Sequence, residues 1–234
     1  LAESRAQVSA RSSPVKDTDK FSGASARSGV LNGKPLSVIE ANDFGMVSPT
    51  GDALRRLKAE HEDAAVVTYV NSTAEVKAES DVCCTSSNAV RVVESIPRDQ
   101  PIIFVPDKNL AAYVADRTGR ENIIAWDGYC YVHDDMVLVE LDAALQAHPD
   151  AKVVVHPEAR KDLLDQADFV TSTSGMVKLA AEHDKLIIGT ERGLVDSLNQ
   201  QYPEKTLIPL SGAAICGNMK LNTLAKLAWS LDHE

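Results

Sequence analysis

From Pro35 onward, short apolar runs rich in Val and Ile alternate with longer stretches in which apolar residues recur at helical spacing. The runs predict strands over residues 36–40, 65–70, 102–105, 123–126, 152–156, 185–189 and 207–210. The stretches between them predict helices over 51–60, 74–78, 87–95, 110–118, 136–148, 158–166, 175–182, 193–200 and 220–231. Strands of β-branched residues that alternate with helices define the α/β class, with parallel sheets assembled from βαβ units. In such sheets function collects at the carboxyl ends of the strands, where the chain turns toward a helix. Residues 1–33 are rich in Ser, Ala and Arg, lack hydrophobic periodicity, and are expected to be disordered.

The pattern repeats. Val66-Val67-Thr68-Tyr69-Val70-Asn71 returns as Val153-Val154-Val155-His156-Pro157-Glu158, 87 residues later. Asp81, followed by Thr85-Ser86-Ser87-Asn88, returns as Asp168, followed by Ser172-Thr173-Ser174-Gly175. The run ending in Pro106-Asp107 returns as the one ending in Thr190-Glu191, and Cys130 returns as Cys216. A repeat of this length is a whole small α/β unit, so the chain is expected to be stacked copies: a second unit over 61–148 and a third over 149–234. Counting back once more from Cys130 lands on Asp43, and Leu36-Ser37-Val38-Ile39-Glu40-Ala41-Asn42-Asp43 aligns with the run that ends in Cys130. Residues 34–60 therefore read as the remnant of a first unit, with a carboxylate where the thiol would stand. Its earlier strands have no counterpart in 1–33.

Composition narrows the partners. A formal charge of −10 argues against nucleic acid or an anionic membrane surface and leaves room for a small anion in a local pocket. No apolar run approaches the roughly 20 residues that span a bilayer. Four cysteines in a chain of this length do not form a secreted disulfide framework, so a reducing, cytoplasmic setting is expected. No apolar segment marks a signal peptide, and Glu3, Asp17 and Asp19 weaken the faint Arg/Ser likeness to a transit peptide. The oligomeric state is not legible.

Three constellations carry chemistry. Thr85-Ser86-Ser87-Asn88 and Ser172-Thr173-Ser174-Gly175 each precede a helical stretch. There hydroxyls either cap the helix or join its free N–H groups in binding phosphate or carboxylate, and both readings stay open. Tyr69, Asn71, His156 and Glu158 stand at predicted strand ends. His and Glu can move protons, while Tyr and Asn can orient a substrate, although polar residues also simply begin loops. Cys130 and Cys216, with His133 near the first, suit zinc or an iron–sulfur cluster, and the missing C-x-x-C pairs speak against a structural zinc. Vicinal Cys83-Cys84 is expected to pack rather than chelate.

Longer motifs carry a resemblance. Tyr69-Val70-Asn71-Ser72-Thr73-Ala74-Glu75-Val76-Lys77-Ala78, Asp81-Val82-Cys83-Cys84-Thr85-Ser86-Ser87-Asn88-Ala89-Val90 and Pro106-Asp107-Lys108-Asn109-Leu110 lie in the first copy. Trp126-Asp127-Gly128-Tyr129-Cys130, His156-Pro157-Glu158, Thr190-Glu191-Arg192-Gly193 and Cys216-Gly217-Asn218-Met219-Lys220 follow. From about Pro35 to the end, the chain resembles the quinolinate synthase family.

The resemblance implies αβα sandwich units with parallel sheets around a pseudo-threefold axis, here two complete units plus a remnant of the first. It implies condensation of iminoaspartate with dihydroxyacetone phosphate, with loss of phosphate and water, to give quinolinate for NAD biosynthesis. A 4Fe-4S cluster with one open iron acts as the Lewis acid. Carried over by motif, Cys130 and Cys216 are cluster ligands and Asp43 stands where the first ligand is expected. Tyr69, His156 and Glu158 are the catalytic candidates. Tyr69, Asn71, Ser86, His156, Glu158 and Thr173 are the substrate-binding ones. The alternative is an inactive fragment or remnant that binds a small dicarboxylate or sugar phosphate through Ser86 and Thr173.

Overall fold

The structure, a computed structural model, describes residues 48–233 and the backbone of two short strands before them. These strands, β1 (Gly29–Leu31) and β2 (Lys34–Leu36), pair antiparallel as a hairpin. The predicted strand over 36–40 lies beyond Leu36 outside the described residues, and so does Asp43. The expectation for 1–33 also lies outside them, apart from Gly29–Leu31.

After α1 (Gly51–Glu60) come β3 (Ala65–Tyr69), α2 (Ala74–Ala78), β4 (Val82–Cys84), α3 (Ala89–Glu94), β5 (Ile102–Val105), α4 (Lys108–Thr118) and β6 (Ile123–Ala125). Two helices, α5 (Tyr131–Asp134) and α6 (Leu138–Ala147), lead to β7 (Lys152–Val155), α7 (Lys161–Leu164), β8 (Phe169–Val170), α8 (Thr173–Glu182), β9 (Lys185–Gly189), α9 (Arg192–Gln201), β10 (Thr206–Pro209) and α10 (Leu224–Asp232). The strands form two four-stranded parallel sheets of one topology, β4-β3-β5-β6 and β8-β7-β9-β10. The class is α/β with parallel sheets, and the repeat is visible in single bonds. Asp81 accepts the Val66 N–H at 2.8 Å, and Asp168 accepts the Val153 N–H at the same distance, each stitching an edge strand to its neighbour.

Alternation along the strands sorts the core into three layers, because successive side chains leave a strand on opposite faces. Val66, Ile103 and Val105 pack under Leu54 of α1 and Val76 of α2. Val154, Leu186 and Ile188 pack under Met176 of α8 and Val195 and Leu198 of α9. The other faces, carrying Val67, Phe104, Val153, Val155 and Ile187, share one large cluster with residues of α3, α4, α5 and α6. That shared layer docks the two sheets and fixes how their carboxyl ends face each other.

Several expectations are corrected. Edge strands β4 and β8 are absent from the sequence reading, since two or three residues carry no measurable period. The helix expected over 158–166 shrinks to Lys161–Leu164, because His156-Pro157-Glu158 forms a turn before it. That expected over 136–148 begins at Leu138, with α5 a separate turn before it. The one expected over 220–231 breaks at Asn222, where Thr223 caps α10 by accepting the Lys226 N–H at 3.3 Å. Cys84 packs in the core as expected, whereas Cys83, on the opposite face of β4, is exposed.

Candidate active site

Loops from the carboxyl ends of both sheets line one cleft of about 710 Å³. Tyr69 and Asn71 leave β3, and Ser86 follows β4. His156 and Glu158 leave β7, and Thr173 begins α8. All six predicted substrate residues therefore face one space, with Tyr69, His156 and Glu158 buried, Asn71 and Ser86 half-buried and Thr173 exposed.

Glu158 is the hub. Its Oε2 accepts the Tyr69 hydroxyl at 3.3 Å and lies 3.1 Å from His156 Nδ1. His156 Nδ1 also lies 3.4 Å from the Glu158 backbone N–H, so this ring nitrogen sits between the amide and the carboxylate of one residue. Burial alone would raise the Glu158 carboxyl, but the His156 hydrogen bond and charge, together with the Tyr69 hydroxyl, outweigh it and hold the group below its ordinary value. Tyr69 is pushed well above its own by burial and by the Glu158 charge, so its phenol stays protonated. Beside them His133 stacks on His156, ring centroids 4.5 Å apart, and its Nε2 meets Thr190 Oγ1 at 3.0 Å. Burial, and then the neighbouring His156, lowers His133 to about 3, so it is neutral near pH 7. Two buried polar atoms here, Glu158 Oε1 and His133 Nδ1, have no hydrogen-bond partner among the described residues. Such orphaned atoms are costly unless a ligand or water meets them.

The hydroxyl turns behave differently in the two copies. Ser172 caps α8, accepting the Gly175 N–H at 3.4 Å, and α8 starts at Thr173, earlier than expected. In the first copy Asn88 Oδ1 accepts the Thr85 N–H at 2.6 Å, and α3 begins only at Ala89. Ser86 and Ser87 line the cleft, the Ser87 hydroxyl 2.8 Å from Thr85 Oγ1. Lys220 also lines the cleft, held at 2.9 Å by Glu191.

The thiols lie deeper. Cys130 Sγ, a His133 ring nitrogen and a Glu158 oxygen lie within 4.8 Å of one another, all buried. Burial, followed by the Glu158 charge, pushes the Cys130 thiol far up. Such a site accepts a thiolate only beside a cation. Cys216 is buried as well, on a loop fastened to the neighbour of Cys130: the Tyr131 hydroxyl accepts the Gly217 N–H at 2.9 Å and lies 3.4 Å from the Ile215 carbonyl. Two buried thiols on adjoining loops, with orphaned nitrogen and oxygen atoms beside one of them, fit a soft metal centre. His133, expected near the thiol, and Thr190 and Lys220, within the motifs that carry the resemblance, are not among the expected substrate residues; they meet the site through the docking of the sheets.

The fold and the cleft define a parallel α/β protein whose polar, titratable and thiol side chains gather at the carboxyl ends of its strands. The family model described as quinolinate synthetase A protein matches residues 46–234, and the chain belongs to that family. The chain is similar to the quinolinate synthase of Desulforudis audaxviator, with 51% identity over 178 residues, 75% of this chain and 58% of that protein. It is 48% identical to that of Dehalococcoides mccartyi strain CBDB1 over 186 residues, 79% of this chain and 61% of the relative. Quinolinate synthase 1 of Methanosarcina acetivorans is 49% identical over 183 residues, 77% of this chain and 60% of the relative. The chain thus spans about 60% of the length of these curated relatives. Among the described residues, no helix is long and apolar enough to cross a membrane.

Proposed function

We propose that this chain carries the second and third units of a quinolinate synthase site, condensing iminoaspartate with dihydroxyacetone phosphate. The observation that carries the reading is the Tyr69–Glu158–His156 hub with two hydroxyl turns in one cleft, and Cys130 behind it near His133 and Glu158. The hydroxyls of Ser86 and Thr173, the latter at the N-terminus of α8, take the carboxylate or phosphate oxygens of the substrates. Asn71, on the loop after β3, orients the substrate. Glu158, ionised at neutral pH, is the base, and His156 Nδ1 relays its proton. Protonated Tyr69 donates to oxygen as charge develops.

Cys130 and Cys216 would hold a 4Fe-4S cluster, with Asp43, outside the described residues, at the remaining ligand position. Once bound, the cluster supplies Lewis-acid polarisation of the substrate. The pseudo-threefold arrangement belongs to this proposal too, because it needs the first unit to close the cleft.

The test is anaerobic reconstitution of the full chain with iron and sulfide, then iron analysis, absorbance near about 400 nm and a quinolinate assay. About four irons per chain, lost in Cys130→Ala and in Cys216→Ala, are expected. Glu158→Gln should keep the iron and lower turnover by about 10²–10⁴-fold, the usual worth of a general base. A folded chain that binds phosphate yet retains no iron and makes no quinolinate would refute this function in favour of a binding remnant.

A further inference from the structure

The carboxylates of Asp107 and Glu191 are buried at equivalent places in the two copies and enter none of the chemistry above. Each follows the central strand of its sheet, β5 or β9, and each caps the next helix: Asp107 Oδ1 accepts the Leu110 N–H at 2.7 Å, and Glu191 Oε2 accepts the Gly193 N–H at 2.7 Å. An ordinary cap stops there. Here the second oxygen takes the backbone N–H of the cysteine: Asp107 Oδ2 holds Cys130 N at 3.0 Å, and Glu191 Oε1 holds Cys216 N at 3.3 Å. A return bond closes each loop. Lys108 N–H donates to the Gly128 carbonyl at 2.8 Å, and Arg192 N–H donates to the Ala214 carbonyl at 2.7 Å, in both cases two residues before the cysteine. The same three-bond clasp is thus built twice, on a loop whose repeated side chain with metal chemistry is the thiol.

We propose that Asp107 and Glu191 are a matched pair of positioning residues, each clasping the backbone of one cysteine so that Cys130 and Cys216 are presented in fixed orientation to a shared metal centre. The inference rests on the metal reading above. The clasps differ in support. Glu191 also holds Lys220 Nζ at 2.9 Å and so keeps a cation beside it, whereas Asp107 relies on backbone donors alone. The near-isosteric amides are discriminating changes. Asparagine or glutamine has one acceptor oxygen, so one of the two N–H groups would face an NH₂ group and the clasp would open on one side.

The experiment compares Asp107→Asn and Glu191→Gln with the unaltered full chain. In the metal-free protein, alkylation by iodoacetamide is followed at each cysteine by mass spectrometry. Loss of one such bond should raise the rate about tenfold. The expected pattern is crossed: Asp107→Asn speeds modification of Cys130 and leaves Cys216 unchanged, while Glu191→Gln does the reverse. After reconstitution, both variants should lose iron to a chelator faster than the parent. Unchanged rates, or both cysteines speeding together in each variant, would overturn the inference, the latter by showing general loosening. Should Asp107→Asn fail to fold, Glu191→Gln decides alone, since the Glu191 side chain lies nearer the surface, 12% exposed beside Lys220. A crossed pattern in a chain that retains no iron upholds the clasp and refutes the metal reading, so the two failures are separable.

Discussion

Gly175 is the position where the fold most directly governs the cleft, although its own backbone sits one turn into α8. A Cβ added there would stand 2.0 Å from Thr171 Oγ1, 2.8 Å from Thr171 Cγ2 and 2.9 Å from Thr171 Cβ. All three are closer than nonbonded atoms approach, and Thr171 is pinned by its N–H to the Val155 carbonyl at 3.1 Å. Gly175→Ala therefore pushes the first turn of α8 away from β8. Overpacking costs about 1–3 kcal/mol, and three contacts under 3 Å put this site in the upper part of that range, about 2–3 kcal/mol, set against the roughly 1 kcal/mol that alanine gains over glycine inside a helix. The net expectation is a loss of about 1–2 kcal/mol, read from urea unfolding midpoints. Because the displaced turn carries Thr173 and Ser174, phosphate affinity should fall with it. Thr171→Ala removes two of the three clashing atoms, so the double variant should recover most of the loss, a favourable coupling of about 1 kcal/mol or more in a double-mutant cycle. A Gly175→Ala chain as stable as the parent, or a coupling near zero, would refute the steric account.

His133, lowered to about 3 in the fold from an ordinary 6.5, gives a pH signature in the metal-free protein. Between those values the unfolded chain binds a proton that the fold refuses, so stability should fall as pH drops through that window, and His133→Asn should flatten the slope. Asp107, pushed up by burial and by the Glu158 charge, contributes with the opposite sign, so the difference between variant and parent is the quantity to measure by urea unfolding across pH 4–7. A difference that does not change with pH would exclude a buried neutral His133. Tyr131→Phe removes the hydroxyl that ties the Cys216 loop to the neighbour of Cys130; a loss of about 1 kcal/mol in thermal unfolding and faster alkylation of Cys216 are expected.

Much of this architecture is legible in the chain. Val66-Val67 and Val153-Val154-Val155 announce strands because consecutive β-branched residues suit a sheet buried on both faces, and the repeat offset then carries Tyr69 onto His156 and Asn71 onto Glu158. Edge strands are less visible: Val82–Cys84 and Phe169–Val170 are held by Asp81 and Asp168 bonding to the neighbouring strand, not by a pattern of their own. His133 and Thr190 come from different sheets, and their 3.0 Å contact depends on how the shared core layer docks. The Asp107–Glu191 equivalence was readable, but its meaning was not, because a carboxylate before a helix is indistinguishable from a plain cap until its second oxygen is seen to hold a cysteine.

The copies agree where they support and differ where they touch the cleft. Asp81 matches Asp168, Asp107 matches Glu191 and Cys130 matches Cys216, and each pair makes the same kind of backbone bond or sits at the same strand end. At two positions around the carboxyl ends of β3 and β7, the pairs are instead Tyr69 against His156 and Asn71 against Glu158. A centre that accepts one thiol from each unit needs equal scaffolds, because its ligands must arrive in related orientations. Two unlike reactants need unlike donors, since a proton can be moved in a stated direction only between groups of different acidity. Glu158, held low, and Tyr69, held high, supply that difference across 3.3 Å. Making the two sites alike, by placing tyrosine at position 156, would remove the imidazole that keeps Glu158 ionised while leaving both clasps intact. Hence His156→Tyr should abolish turnover yet leave the alkylation rates of Cys130 and Cys216 near those of the parent. A parallel loss of both would mean that scaffold and chemistry are not divided in this way.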